Sequence, residues 1–223
     1  SNTKDPIIEY QQSLINDGKT GSNVFKVYKD GEIVYDKVLN SGAVGDRNID
    51  ENTIFAIHSM TKTVTTVAAM ILHEKGMFQL DDPLHKYLPE FKDVKCKGSE
   101  GIYDCENEIK VVDILTHRSG YIYYLDNGDN WLTGTHNSLY PSYINTSRFN
   151  NLDAFSKAVA KHPLEFEPGS MYAYGLNQAI LGRLIEVISG QTFYNFLKEN
   201  IFDKLGMSET KFHLTDDERL RLQ

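Results

Sequence analysis

A mixed α/β (α+β) fold follows from three features of this 223-residue chain. A β-hairpin pattern stands near the start, a Gly- and Pro-free amphipathic run extends from Ser59 to Lys75, and further helical runs reach to about residue 202. A hydrophobic share of 40% is enough to fill a sizeable core.

Residues 7–16 place Ile7, Ile8, Leu14 and Ile15 on one helical face and end in the turn chemistry of Asn16-Asp17-Gly18, which predicts a short helix. Val24–Tyr28 and Ile33–Val38 are rich in β-branched and aromatic residues and flank Lys29-Asp30-Gly31-Glu32, an Asp-Gly hairpin signal. A polar stretch over 40–52 leads to Ile54-Phe55-Ala56-Ile57 and then Ser59. The run that follows puts Val64, Val67, Ala68, Ile71 and Leu72 on one side and stops at Gly76, so Ser59 sits at a helix start.

Leu80-Asp81-Asp82-Pro83 punctuates the chain before a short helix over 84–88. Val111–Thr116 starts another, closed by Arg118-Ser119-Gly120. From Tyr121 to Phe149 no period is visible, which predicts a long loop framing a cleft. Helices are expected over 151–161, 177–188 and 193–202, with a turn at Glu167-Pro168-Gly169-Ser170.

Composition excludes several function classes. With 31 acidic against 23 basic residues and a net charge of −8, the average surface repels nucleic acid, and small molecules are the expected partners. Apolar stretches such as Val67–Leu72 fall short of the roughly 20 residues a transmembrane helix needs. No signal-peptide pattern precedes Asp5. Cys96 and Cys105 lie in a Gly- and charge-containing segment that reads as a surface loop. They can close a small disulfide ring or stand as separate thiols, and no nearby Cys or His pair gives zinc-ligand spacing.

The chemistry concentrates in Ser59-Met60-Thr61-Lys62. On a helix, positions i and i+3 share a face with β-carbons roughly 5–6 Å apart, so the hydroxyl and the amine can share a proton. A serine is a weak nucleophile until a base takes its proton, and an unperturbed lysine, with a pKa of about 10.4, is a poor base at neutral pH. Burial or a partner must help. The opening turn of a helix also favours developing negative charge, and the Ser59 amide can donate to an oxyanion. Ser-x-x-Lys is common by chance, and by itself the tetrapeptide reads more readily as a capping serine beside a solvated lysine.

The surrounding landmarks decide between these. Phe55-Ala-Ile-His-Ser59-Met-Thr-Lys62, Leu80-Asp-Asp-Pro83, Tyr87-Leu-Pro89, Ile114-Leu-Thr-His-Arg-Ser-Gly120, Glu167-Pro-Gly169, Leu181-Gly-Arg-Leu-Ile-Glu186, Ser189-Gly190 and Leu205-Gly-Met207 follow in order. They resemble the penicillin-recognising serine hydrolases, and more narrowly the class C β-lactamase-related group of β-lactamases, D-aminopeptidases and carboxylesterases; Ser-x-x-Lys is a known signature there. The resemblance implies an antiparallel sheet flanked by helices plus an all-helical subdomain, divided as 1–75, 76–170 and 171–223. It implies an acyl-enzyme at Ser59 of a small ester, amide or β-lactam, with no metal or organic cofactor.

The family's Tyr-x-Asn element maps to Tyr174, a second proton carrier, but Leu176 takes the Asn position and Asn177 stands one place late. That departure resembles the esterase-like branch and favours ester over β-lactam turnover. Asn177, Tyr121 and Trp131 are expected to contact substrate, with Tyr123, Tyr124 and Tyr140 lining the same acyl pocket. His58 reads as a packing or rim residue, and His117 resembles part of a turn that buttresses the site wall.

The third family element, Lys-Thr-Gly or His-x-Gly, belongs after Leu205-Gly-Met207 and is not found there. Lys19-Thr20-Gly21 and Thr133-Gly134-Thr135 match only in letters. The sequence therefore predicts a companion polypeptide, produced by a nick after Gln223, that supplies the remaining strands. The alternatives are a penicillin-binding or peptide-sensing module with little turnover and a catalytically dead scaffold. Family analogy points to a periplasmic or secreted location and leaves a cytoplasmic one open.

Overall fold

The computed structural model describes residues 5–122 and 151–223. Contacts divide the chain into two units, one made of residues 1–58 and 212–223, the other of residues 59–211. The division falls at 58/59 and 211/212, not at the predicted 75 and 170. The helix after Ser59 packs on later helices of the second unit, and so belongs with them.

In the first unit, helix α1 (Pro6–Asn16) begins at Asp5, whose carboxylate accepts from the Ile7 N–H at 2.9 Å, with Pro6 at the first helical position. Strands β1 (Asn23–Lys29) and β2 (Glu32–Leu39) pair antiparallel. Asp30 and Gly31 both have positive φ, +53° and +83°, as a tight hairpin turn matching strand twist requires. Helix α1 rests on β2, and Gln11, fully buried, donates from Nε2 to Asn23 Oδ1 and to the Lys37 carbonyl.

The C-terminal segment returns to this unit. Helix α7 (Asp216–Arg219) opens with a capping box formed by Thr215 and Glu218. Ile54 N donates to the Arg221 carbonyl at 2.8 Å, and Gln223 N donates to the Ile54 carbonyl at 2.9 Å, a parallel bridge. Asp46 gathers the two segments, accepting from Ser22 N and Oγ, from Ser41 Oγ and from Gln223 Nε2. These donors hold its carboxyl down at about 2. Gly21, within the misplaced Lys-Thr-Gly letters, lies so close that an added Cβ would stand 2.7 Å from Asp46 Oδ1.

In the second unit, helix α5 (Asn177–Ser189) is the central element. It packs against α2 (Thr61–Glu74), α3 (Val111–Leu115), α4 (Leu152–Ala160) and α6 (Phe193–Leu197). Ile180, Leu181, Leu184 and Ile185 supply its buried stripe at helical spacing, and Gly190, at φ +71°, ends it in the left-handed region. Helix α2 buries Thr65, Ala68, Ala69 and Leu72, while Val67 of the predicted apolar side is exposed. The buried face is rotated toward the small residues, which let α2 approach α5 closely. The predicted 193–202 helix is α6 followed by a π-helical turn over Lys198–Phe202.

The Cys96 to Cys105 segment is a hairpin and not a loop. Strands β3 (Lys95–Gly98) and β4 (Gly101–Asp104) pair antiparallel, and Cys96 and Cys105 form a disulfide. The Lys97 and Leu164 amides donate to the Leu164 and Lys95 carbonyls at 2.8 and 2.7 Å, which anchors β3 on the segment before the Glu167–Ser170 turn.

Candidate active site

Every described residue of the site belongs to the second unit. The segment leading to it passes through His58, whose φ is +43°, a region that side chains with a Cβ rarely adopt. A 3-10 turn over His58–Met60 then feeds α2, so Ser59 precedes the α-helix proper and its side chain is exposed. No side chain caps the start of α2, which leaves the first-turn amides and the positive end of the helix available to an anion.

Lys62 Nζ donates to Ser59 Oγ at 3.4 Å. This is the long end of hydrogen-bond range, as is common before a substrate tightens such contacts. The same ammonium sits 4.7 Å from the centroid of the Tyr174 ring, within cation–π range. The sequence-predicted trio of Ser59, Lys62 and Tyr174 is thus linked through Lys62.

Tyr174 is set by backbone pairing across a long separation. The Gly169 amide donates to the Arg118 carbonyl and the Ala173 amide to the His117 carbonyl, while the Arg118 guanidinium donates to the Gly169 carbonyl. The Glu167 carboxylate accepts from the Glu106 and Asn107 amides at 2.6 and 3.1 Å and fastens the turn from the other side. Gly175 allows the last approach: a Cβ there would stand 2.2 Å from the Tyr121 carbonyl oxygen and 2.6 Å from Ile122 Cα. Only glycine fits.

The substrate-contact expectations do not hold for the residues described. Asn177 is 0% exposed at the start of α5, and its amide is spent inside the protein. Ser119 Oγ lies 2.6 Å from Asn177 Oδ1, and Asn177 Nδ2 lies 3.2 Å from His117 Nδ1. Tyr121 is also 0% exposed, packed edge-on against Phe91 at 5.8 Å between centroids. Neither side chain reaches the surface, because both serve the core beneath the site. Trp131, Tyr123, Tyr124, Tyr140 and the Thr133-Gly134-Thr135 letters lie outside the described residues. Leu176 is buried as well, so the position the family gives to Asn here faces the core.

Sequence reasoning missed Ser119 and Gly175 and gave His117 only a supporting part. His117 has a positive φ of +55° and its ring lies 4.9 Å from that of Tyr174, tilted by 32°. Burial, and then the nearby Lys62 charge, lower its pKa and favour the neutral imidazole. The available signal was the spacing of Ser119 after His117 and of Gly175 after Tyr174, neither of which carries chemistry by itself.

A mixed α/β chain with small antiparallel sheets, a helical body and a Ser-x-x-Lys pair at the head of a helix defines the β-lactamase/transpeptidase-like fold. The chain belongs to the Beta-lactamase family, whose profile matches residues 9–223. Among curated relatives, Esterase EstB of Burkholderia gladioli is 30% identical over 194 residues, covering 86% of this chain and 47% of the relative. Lovastatin esterase of Penicillium rubens is 29% identical over 224 residues, covering 94% and 53%. The solved structure of EstCE1, a hydrolase with promiscuous acyltransferase activity, superposes with a TM-score of 0.78 at 24% identity, covering 97% of this chain and 54% of that one; this likeness concerns the fold. The chain spans about half the length of the curated relatives it matches.

Proposed function

We propose that the protein is a serine hydrolase that forms an acyl-enzyme at Ser59 and acts on small carboxylic esters in preference to β-lactams. The observation that carries this reading is the Lys62 ammonium, held 3.4 Å from Ser59 Oγ and 4.7 Å from the centre of the Tyr174 ring. Ser59 Oγ adds to the substrate carbonyl as its proton passes to Tyr174 acting as the phenolate, whose charge the Lys62 ammonium balances. The tetrahedral oxyanion takes the Ser59 amide and the head of α2 as donors. Collapse breaks the ester C–O bond, the alcohol leaves with the proton returned from Tyr174, and water then hydrolyses the acyl group from Ser59.

The ester preference rests on Leu176, an aliphatic residue where β-lactam-directed relatives carry an amide. Two relatives named as esterases agree with it. A periplasmic or secreted location accords with the Cys96–Cys105 disulfide.

The test compares p-nitrophenyl esters with nitrocefin on the full-length protein, with Ser59→Ala as control. Short-chain ester hydrolysis should exceed nitrocefin hydrolysis, and Ser59→Ala should abolish both. Faster nitrocefin turnover would reverse the preference. One-to-one labelling of Ser59 without turnover would instead identify a penicillin-binding module, and an unreactive Ser59 a dead scaffold.

A further inference from the structure

If Tyr174 exchanges the Ser59 proton, its aim decides the rate, and three side chains outside the Ser59–Lys62–Tyr174 set govern that aim. We propose that His117 is a positioning residue for Tyr174, held by Asn177 as the neutral imidazole with its proton on Nε2. This rests on the reading of Ser59 as nucleophile.

The assignment follows from hydrogen-bond chemistry. Ser119 Oγ accepts from the Tyr121 amide at 3.1 Å and lies 2.6 Å from an Asn177 amide atom. A separation of 2.6 Å suits O–H···O and is short for N–H···O, so the atom facing Ser119 is Oδ1 and the hydroxyl donates to it. The reverse orientation would also leave the buried Ser119 hydroxyl proton without that acceptor, at a desolvation cost. Asn177 Nδ2, which can only donate, is thereby turned to His117 Nδ1 at 3.2 Å. Nδ1 must offer its lone pair, and the ring proton sits on Nε2.

The imidazole so fixed lies 4.9 Å from the Tyr174 ring, while its carbonyl holds the Ala173 amide at 2.9 Å. Ring and backbone of one residue therefore grip the segment that carries Tyr174. Among the described residues, the groups facing His117 are the Lys62 ammonium from α2, the Tyr172 and Tyr174 rings from the 171–175 segment, and the Asn177 amide from α5. Arg118, next in the chain, spends its guanidinium on the Gly169 carbonyl. An imidazolium in this place would point a donor at the Asn177 donor and add a second cation beside Lys62. Neutrality leaves the charge at Tyr174 to Lys62.

The test uses the full-length protein with 15N-labelled histidine. In the wild type at pH 7, the His117 15N shifts should report a neutral ring protonated on Nε2. Asn177→Asp keeps the shape but offers Nδ1 an acceptor, so His117 should become doubly protonated. Acylation of Ser59 by an alkyl fluorophosphonate should then fall roughly tenfold, as expected for a mis-set proton carrier, with the melting temperature little changed. His117 protonated on Nδ1 in the wild type would overturn the proposal. So would Asn177→Asp acylating at the wild-type rate with an imidazolium in place. If Asn177→Asp does not fold, the wild-type spectrum decides alone. If wild-type Ser59 resists labelling, the hydrolase reading fails while the tautomer is still read directly.

Discussion

Gly175→Ala isolates the geometry of Tyr174 from its chemistry. The new methyl group would stand 2.2 Å from the Tyr121 carbonyl oxygen and 2.6 Å from Ile122 Cα, both backbone atoms with no rotamer to yield. Ordinary contact requires about 3.4 Å, so residues 174–175 or 121–122 must retreat by about 1 Å in a close-packed interior. Overpacking of this kind costs about 1–3 kcal/mol in stability. A displacement near 1 Å of a proton carrier costs on the order of a hundredfold in rate. The assay is the second-order rate of Ser59 acylation by a fluorophosphonate, beside thermal unfolding of the same sample. Gly190→Ala is the control: it strains a positive φ, +71°, yet meets open space and lies at the far end of α5. It should lower stability by about 1 kcal/mol and leave acylation unchanged. Acylation of Gly175→Ala at the wild-type rate would refute the role assigned to the Tyr174 backbone.

Replacing both Cys96 and Cys105 by serine opens a ring with a sequence separation of 9 and should cost about 2–3 kcal/mol in chemical denaturation, while Ser59 labelling persists under native conditions. The Asp46 carboxyl, depressed to about 2 by its Ser22 and Ser41 donors, contributes stability that is fully present above the unfolded carboxylate pKa of about 3.9. That contribution is lost as pH falls through about 2, so Asp46→Asn should flatten the acid-unfolding curve of the first unit between these values, as followed by circular dichroism. A wild-type and variant curve of equal slope would remove Asp46 from that role.

The fold was legible where local chemistry and burial agreed. Asp30-Gly31 announced its hairpin because the pair suits a tight turn and lies between two β-branched and aromatic runs, and α5 announced itself through an apolar stripe closed by Gly190. The β3–β4 hairpin was not legible. Its strands have four residues each, β4 is exposed throughout, and its anchor is Leu164, remote in sequence. Periodicity has nothing to report in such a segment.

The site shows the same division. Ser59 and Lys62 could be read as neighbours because helical spacing brings them together, and Tyr174 entered through a family motif. Asn177 was assigned to the substrate because it stands one place from the Asn position of the family's Tyr-x-Asn element. Its actual partners, Ser119 and His117, lie 58 and 60 positions away, and no local pattern encodes that meeting. The positive φ of His58 is likewise invisible in the letters.

The discontinuity of the first unit bears on how a nascent chain matures. Ile54 and Gln223 meet across 169 positions, so on a ribosome that bridge waits until everything between them has been made. Throughout that interval the unit of residues 59–211 is already made and is free to consolidate. The Ser59 helix can then settle before the bridge that ties together the two segments of the first unit.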